Sequence, residues 1–214
     1  MNAILHIRGN ITREIFDYTT LMFALKEYRK PRDVVSLLLR NGHIIRLRKG
    51  LYIFGKTWKK QPLPPEIMAN LIYGPSAISL DYALSWYGLI PERVDIITSV
   101  STGRSRIYNT PAGRFSYTHL SEKRFTTGLT LQVNPSGNWM ITEPLKALAD
   151  KIWTDKRFRP ISPASYTDYI FKDLRIDEAV LAENFITEKA KVIQDNYSSR
   201  KINWLIDFLQ KKFK

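Results

Sequence analysis

Three prolines in four positions, within Gln61-Pro62-Leu63-Pro64-Pro65, constrain this chain more than any other feature. Proline fixes φ at about −65° and offers no N–H, so such a run continues neither helix nor sheet and favours an extended, semi-rigid connector. The run predicts a domain boundary, with one unit over residues 1–60 and another over 66–214. The chain has 214 residues and 44% hydrophobic content, enough for one large domain or two small ones with real cores.

Ahead of the connector, Tyr18, Leu21, Met22, Leu25 and Tyr28 recur at helical spacing, with Asp17 or a nearby Thr as cap and an end near Arg29-Lys30. Pro31 suits the first turn of a second helix, Arg32 to Asn41, which Gly42 terminates. On that helix Val34, Val35, Leu37, Leu38 and Leu39 fill a broad apolar arc, leaving Arg32, Ser36 and Arg40 in line with Asp33. Ile44 to Leu47 and Leu51 to Phe54 then read as a hairpin, with Gly50 in the turn after Arg48-Lys49. Helix, helix, hairpin is the order of a winged helix-turn-helix, in which the later helix enters the major groove and the wing lies along the backbone.

Charge points the same way. The net charge is +13, and residues 1–60 hold 13 cations against 4 anions. Scattered surface charge has no reason to concentrate so, whereas a polyanionic partner gives one. The residues placed against double-stranded DNA are Arg32, Ser36 and Arg40 on the helix and Arg46, Arg48 and Lys49 on the wing.

Beyond the connector, helices are predicted at Glu66–Tyr73 and Leu80–Tyr87. Strands follow at Val94–Val100, Arg106–Asn109, Arg114–His119, Leu129–Val133 and Trp139–Thr142. These suggest a small, mostly antiparallel sheet over about 94–142. Helices follow from Glu143, with Leu145, Leu148, Ala149 and Ile152 on one face, and then at roughly 165–173, 177–194 and 199–212. The expected class is α+β, a winged helix-turn-helix followed by a mixed domain.

Little in the sequence suggests catalysis. With no cysteine, disulfides, thiolate nucleophiles and the commonest structural zinc sites are excluded. His6, His43 and His119 are too dispersed for a metal site, and there is no Walker loop or GxGxxG, so no metal or cofactor is expected. Glu143, Lys146 and Asp150 share a helix face and admit a charged active cluster; the plainer reading is a helix-start acid and an i, i+4 pair worth tenths of a kcal/mol. Arg104, Arg106, Arg114, Lys123 and Arg124 form a second basic set, open to three readings: a longer DNA footprint, an acidic protein partner, or a solvated sheet face. Tyr108, Phe115, Tyr117 and Phe125 alternate as strand cores do. No run of about 18 apolar residues and no export signal is visible, so the expected address is the cytoplasm, without membrane contact.

The ordered set LLLRNGHIIRLRKGLYIF, GPSAISLDYALSWYGLIPE, GRFSYTHL and ITEPLKALADKIW resembles the AbiEi family of antitoxins from type IV toxin-antitoxin loci, over most of residues 30–155. The resemblance implies an N-terminal winged helix that binds repeats in its own promoter and represses it. It further implies a C-terminal antitoxin domain that counters a nucleotidyltransferase-type toxin, and no enzyme activity. Glu143, Pro144, Lys146, Ala147, Leu148 and Asp150 match the family's signature helix, with Pro144 and Leu145 departing from its usual opening. The alternative is a stand-alone regulator whose second domain senses a ligand or protein.

Overall fold

The computed structural model describes residues 2–213. Among them it contains eleven α-helices and nine strands in an α+β arrangement. The chain opens with α1 (Ala3–Asn10), β1 (Ile15–Asp17), α2 (Tyr18–Ala24), α3 (Pro31–Arg40), β2 (Ile44–Arg48) and β3 (Leu51–Phe54). The three strands form an antiparallel sheet in the order β1-β3-β2. Asp17 caps α2 by accepting the Thr20 N–H at 2.7 Å, a bond that holds its carboxyl below the usual carboxylate range. Helix α2 ends at Ala24 rather than near Arg29-Lys30, because Pro31 forces Lys30 out of the helical region and the chain must turn before it. Neither α1 nor β1 was expected, since eight and three residues are too short for a clear period.

After a 3-10 turn at Lys56–Trp58 and the proline connector come α4 (Pro65–Ile72), β4 (Ser76–Ile78), α5 (Leu80–Trp86), β5 (Ile97–Ser101), β6 (Arg106–Thr110), β7 (Gly113–His119), α6 (Glu122–Phe125), β8 (Leu129–Gln132) and β9 (Trp139–Thr142). The expected small antiparallel sheet is instead a six-stranded mixed one, ordered β6-β7-β5-β4-β9-β8. β5 runs parallel to β7, and β4 parallel to β9. The missed strand, β4, is central and buried throughout, and its three residues Ser-Ala-Ile carry no alternation. The helices that follow are α7 (Pro144–Thr154), α8 (Ser165–Asp168) with a wide turn at Tyr169–Asp173, α9 (Glu178–Glu183), α10 (Thr187–Tyr197) and α11 (Arg200–Lys212). The single helix expected over 177–194 is thus two, broken near Asn184. Among the described residues no helix is long and apolar enough to cross a membrane.

One strand joins the two halves. Tyr52 and Phe54 of β3, with Ile44 of β2, pack into a core made with α1, α2 and α3. Leu51 and Ile53, with Leu47, face the other way into the core of the six-stranded sheet, beside Ile67, Met68 and Tyr117. All four residues of β3 are therefore buried, which is why Leu-Tyr-Ile-Phe has no polar member. Beneath the connector the first half holds the chain it sends out. Arg8 of α1 stacks 4.2 Å from the Phe54 ring centre and forms a buried ion pair with Glu14. The same Glu14 oxygen accepts the backbone N–H groups of Lys60 and Gln61 at 3.1 and 3.2 Å. At Gly55, a Cβ would lie 1.9 Å from the Gly42 carbonyl oxygen, so no other residue lets the chain leave the hairpin on this path.

Candidate nucleic-acid interface

Helix α3 starts on Pro31, whose missing N–H costs nothing in a first turn, and carries Asp33 in that turn and Arg40 in the last, both favourable to the helix dipole. Val35 and Leu38 are buried, and Val34 and Leu39 pack against the same core. Arg32, Asp33, Ser36, Leu37 and Arg40 are exposed. The arc given to the core was too wide: at about 100° per residue Leu37 lies some 60° beyond Val34, past the reach of the underlying side chains. Its exposure is 45%, and it belongs with the polar residues rather than the core. The Ser36 hydroxyl donates to the Arg32 carbonyl at 3.1 Å, bonding back onto its own helix.

The hairpin presents Arg46, Arg48 and Lys49, all exposed, at its closed end. Gly50 supplies the φ of +84° that the turn needs, and a bulge between Arg46 and Arg48 lets Leu47 turn inward while its neighbours stay out. Among the described residues none of Arg32, Arg40, Arg46, Arg48 and Lys49 forms an ion pair with an acid. Arg48, expected as a free tip cation, leans over the second half. Its guanidinium donates to the Leu71 carbonyl in the last turn of α4 at 3.4 Å and to the Lys49 carbonyl at 3.2 Å, and a cation suits a helix C-terminus. Arg46 and Lys49 are left as the unengaged cations of the hairpin.

The second basic set does not form one cluster. β6 is an edge strand, guarded by Arg106, and passes close to β2, so Arg106 lies on the edge of the sheet nearest the hairpin, with Arg104 exposed in the segment that leads into β6. The Arg106 guanidinium sits 5.6 Å from the centre of the Tyr73 ring. Arg114 pairs across from Asn109 at the other end of β6 and β7, and Lys123 is exposed on α6. Arg124 is withdrawn from the surface. It stacks 4.0 Å from the Trp153 ring centre and donates to the Tyr197 carbonyl at 2.8 and 3.2 Å, closing the C-terminal end of α10. Arg124→Ala should therefore lower the midpoint of urea unfolding by an amount equivalent to about 1–3 kcal/mol, and an unchanged midpoint would contradict this assignment.

The residues with most chemical potential are buried. Lys146 and Asp150 of α7 have no exposed side-chain surface. The Lys146 ammonium lies 2.6 and 2.5 Å from the two Asp150 oxygens, Ser79 donates to Asp150 at 2.6 Å, Tyr197 donates to it from α10, and Thr142 donates to Ser79 at 3.1 Å. Burial lowers the Lys146 pKa, opposed by Asp150, and raises that of Tyr197 well above its ordinary value. Leu80 holds φ at +61° in the turn that delivers Ser79 to this network, a strained conformation for leucine. The expected surface i, i+4 pair is thus an internal network joining α7, the β4–α5 turn and α10. The signal that could have revealed this is positional: Leu145, Ala147, Leu148 and Ala149 surround both charges, and all four are buried. Glu143, at the start of the helix, is separate and pairs with Lys189 at 2.7 Å.

No protein-family model matches the chain, and a search of the curated proteins finds none similar to it.

Proposed function

We propose that this protein is a DNA-binding autorepressor and antitoxin of an abortive-infection type toxin-antitoxin locus, with a winged helix-turn-helix in residues 1–60. The observation that carries the reading is the order helix, strand, helix, helix, hairpin, in which β1 pairs with β3 and the later helix presents Arg32, Ser36 and Arg40 outward. α3 is the reading helix, and Arg46 and Lys49 grip phosphates beside it. Arg106 lengthens that basic strip at the start of β6. The antitoxin assignment rests on the resemblance of the four quoted stretches to AbiEi proteins, with a nucleotidyltransferase-type toxin as the target. A non-enzymatic role accords with the sealing of Lys146 and Asp150 beneath Ser79 and Tyr197.

The test is a band-shift titration on the region upstream of the protein's own gene, combined with co-expression of the adjacent toxin gene. Arg46→Ala with Lys49→Ala should weaken binding to all sequences and reduce the salt slope by about two units, whereas Arg40→Ala should cost about 1–3 kcal/mol and relax sequence preference. Equal affinity and slope in parent and double variant would refute the assignment of the hairpin. Rescue from toxicity tests the antitoxin half separately.

A second reading, a stand-alone regulator that senses a small ligand, has one observation in its favour. A cleft of about 470 Å³ separates Arg13, Glu14 and Gln61 from the Ser136–Asn138 turn, so an occupant would touch both halves.

A further inference from the structure

Of the five aliphatic side chains on α3, four pack into the N-terminal core, and Leu37 alone joins no apolar cluster. It stands 45% exposed, flanked on the helix surface by Asp33 four residues before it and Arg40 three residues after it. An isolated exposed leucine on an ordinary surface asks for no explanation. This one interrupts a face that is otherwise polar, on a helix whose remaining positions divide cleanly between core and solvent.

We propose that Leu37 reads the methyl group of a thymine in the major groove, an inference that rests on α3 being the DNA-reading helix. Thymine is the base that offers an apolar group on the major-groove edge, and an aliphatic side chain is the matching surface. Three of the polar residues on the exposed side of α3 have other tasks. Arg40 and Arg32 suit guanine edges or phosphates, and Ser36 is turned toward its own helix. Leu37 thereby adds selectivity that no charge on the face supplies. It is a specificity residue, and its contact should be nearly independent of salt.

Single thymines of the upstream duplex are replaced by uracil, which removes only the 5-methyl group, and each duplex is titrated with the full-length protein. At one position or more the parent should bind about fourfold more weakly, the amount expected for one buried methyl. Leu37→Ala should be indifferent to that replacement, while Leu37→Met, which keeps an apolar side chain of similar reach, should still respond. If every uracil duplex binds like its thymine parent, or if the loss persists undiminished in Leu37→Ala, the assignment of Leu37 is overturned while DNA binding stands. If the parent retains no upstream duplex at any salt concentration, the reading of α3 falls and this inference with it.

Discussion

Asp150→Ala should destabilise the protein by about 3–5 kcal/mol, because it strands an ammonium in a site with no exposed surface. Ser79 and Tyr197 lose their acceptor in the same step. Urea unfolding followed by tryptophan fluorescence measures this, and a cost below about 0.5 kcal/mol, the value of an exposed helix pair, would contradict the burial. Lys146→Met with Asp150→Leu should recover the part of the loss that comes from the stranded ammonium, since neither charge then has to be desolvated, and should leave the part that comes from the Ser79 and Tyr197 hydroxyls. The pH dependence has a definite sign. Burial already lowers the Lys146 pKa and only Asp150 opposes it. Without Asp150 the folded pKa falls further, so below the ordinary lysine value of about 10.4 the unfolded chain binds more protons than the folded one, and stability rises with pH. The deficit of Asp150→Ala relative to the parent should therefore shrink as pH is raised from neutrality toward about 10.

The second large effect concerns division of the chain. A fragment ending at the connector should fail to fold, although its element order suggests an independent unit. Leu47, Leu51 and Ile53 are each at most 7% exposed, and they are covered by the second half. Exposing three such side chains costs about 1.5–3 kcal/mol each, together comparable to the whole stability of a small domain. Circular dichroism and sedimentation of residues 1–64 should report an unfolded or associating species, and a monomer with a cooperative melt would overturn this. Any DNA-binding comparison with and without the second half must be read with that loss in view.

Local demands of the backbone were legible in the sequence, and pairings with distant segments were not. Pro31, Gly42 and Gly50 located α3 and the hairpin, because a missing N–H and two positive φ angles are local demands that the residue itself meets. The outward residues of α3 were also readable from periodicity, apart from Leu37, whose exposure depends on how far the underlying core extends. Two features were settled by distant partners. The Lys146–Asp150 spacing is the same on an exposed and a buried helix; the apolar residues around the pair were the local sign of burial, and the partners that complete the network, Ser79 and Tyr197, lie 71 and 47 residues from Asp150. The place of β4 at the centre of a mixed sheet depends on a parallel pairing with β9, to which Ser-Ala-Ile gives no clue. The continuous apolar run of β3 did hold a signal, since a strand with no polar face has two sides to cover.

The clasp of Glu14 on the backbone of Lys60 and Gln61 has a consequence for recognition. Because the first links of the connector are held from within the N-terminal half, and β3 is gripped from both sides, the attitude of α3 toward the six-stranded sheet is fixed before any partner arrives. Whatever that helix meets, association forfeits little orientational freedom, and the preorganisation appears as affinity rather than being lost to entropy.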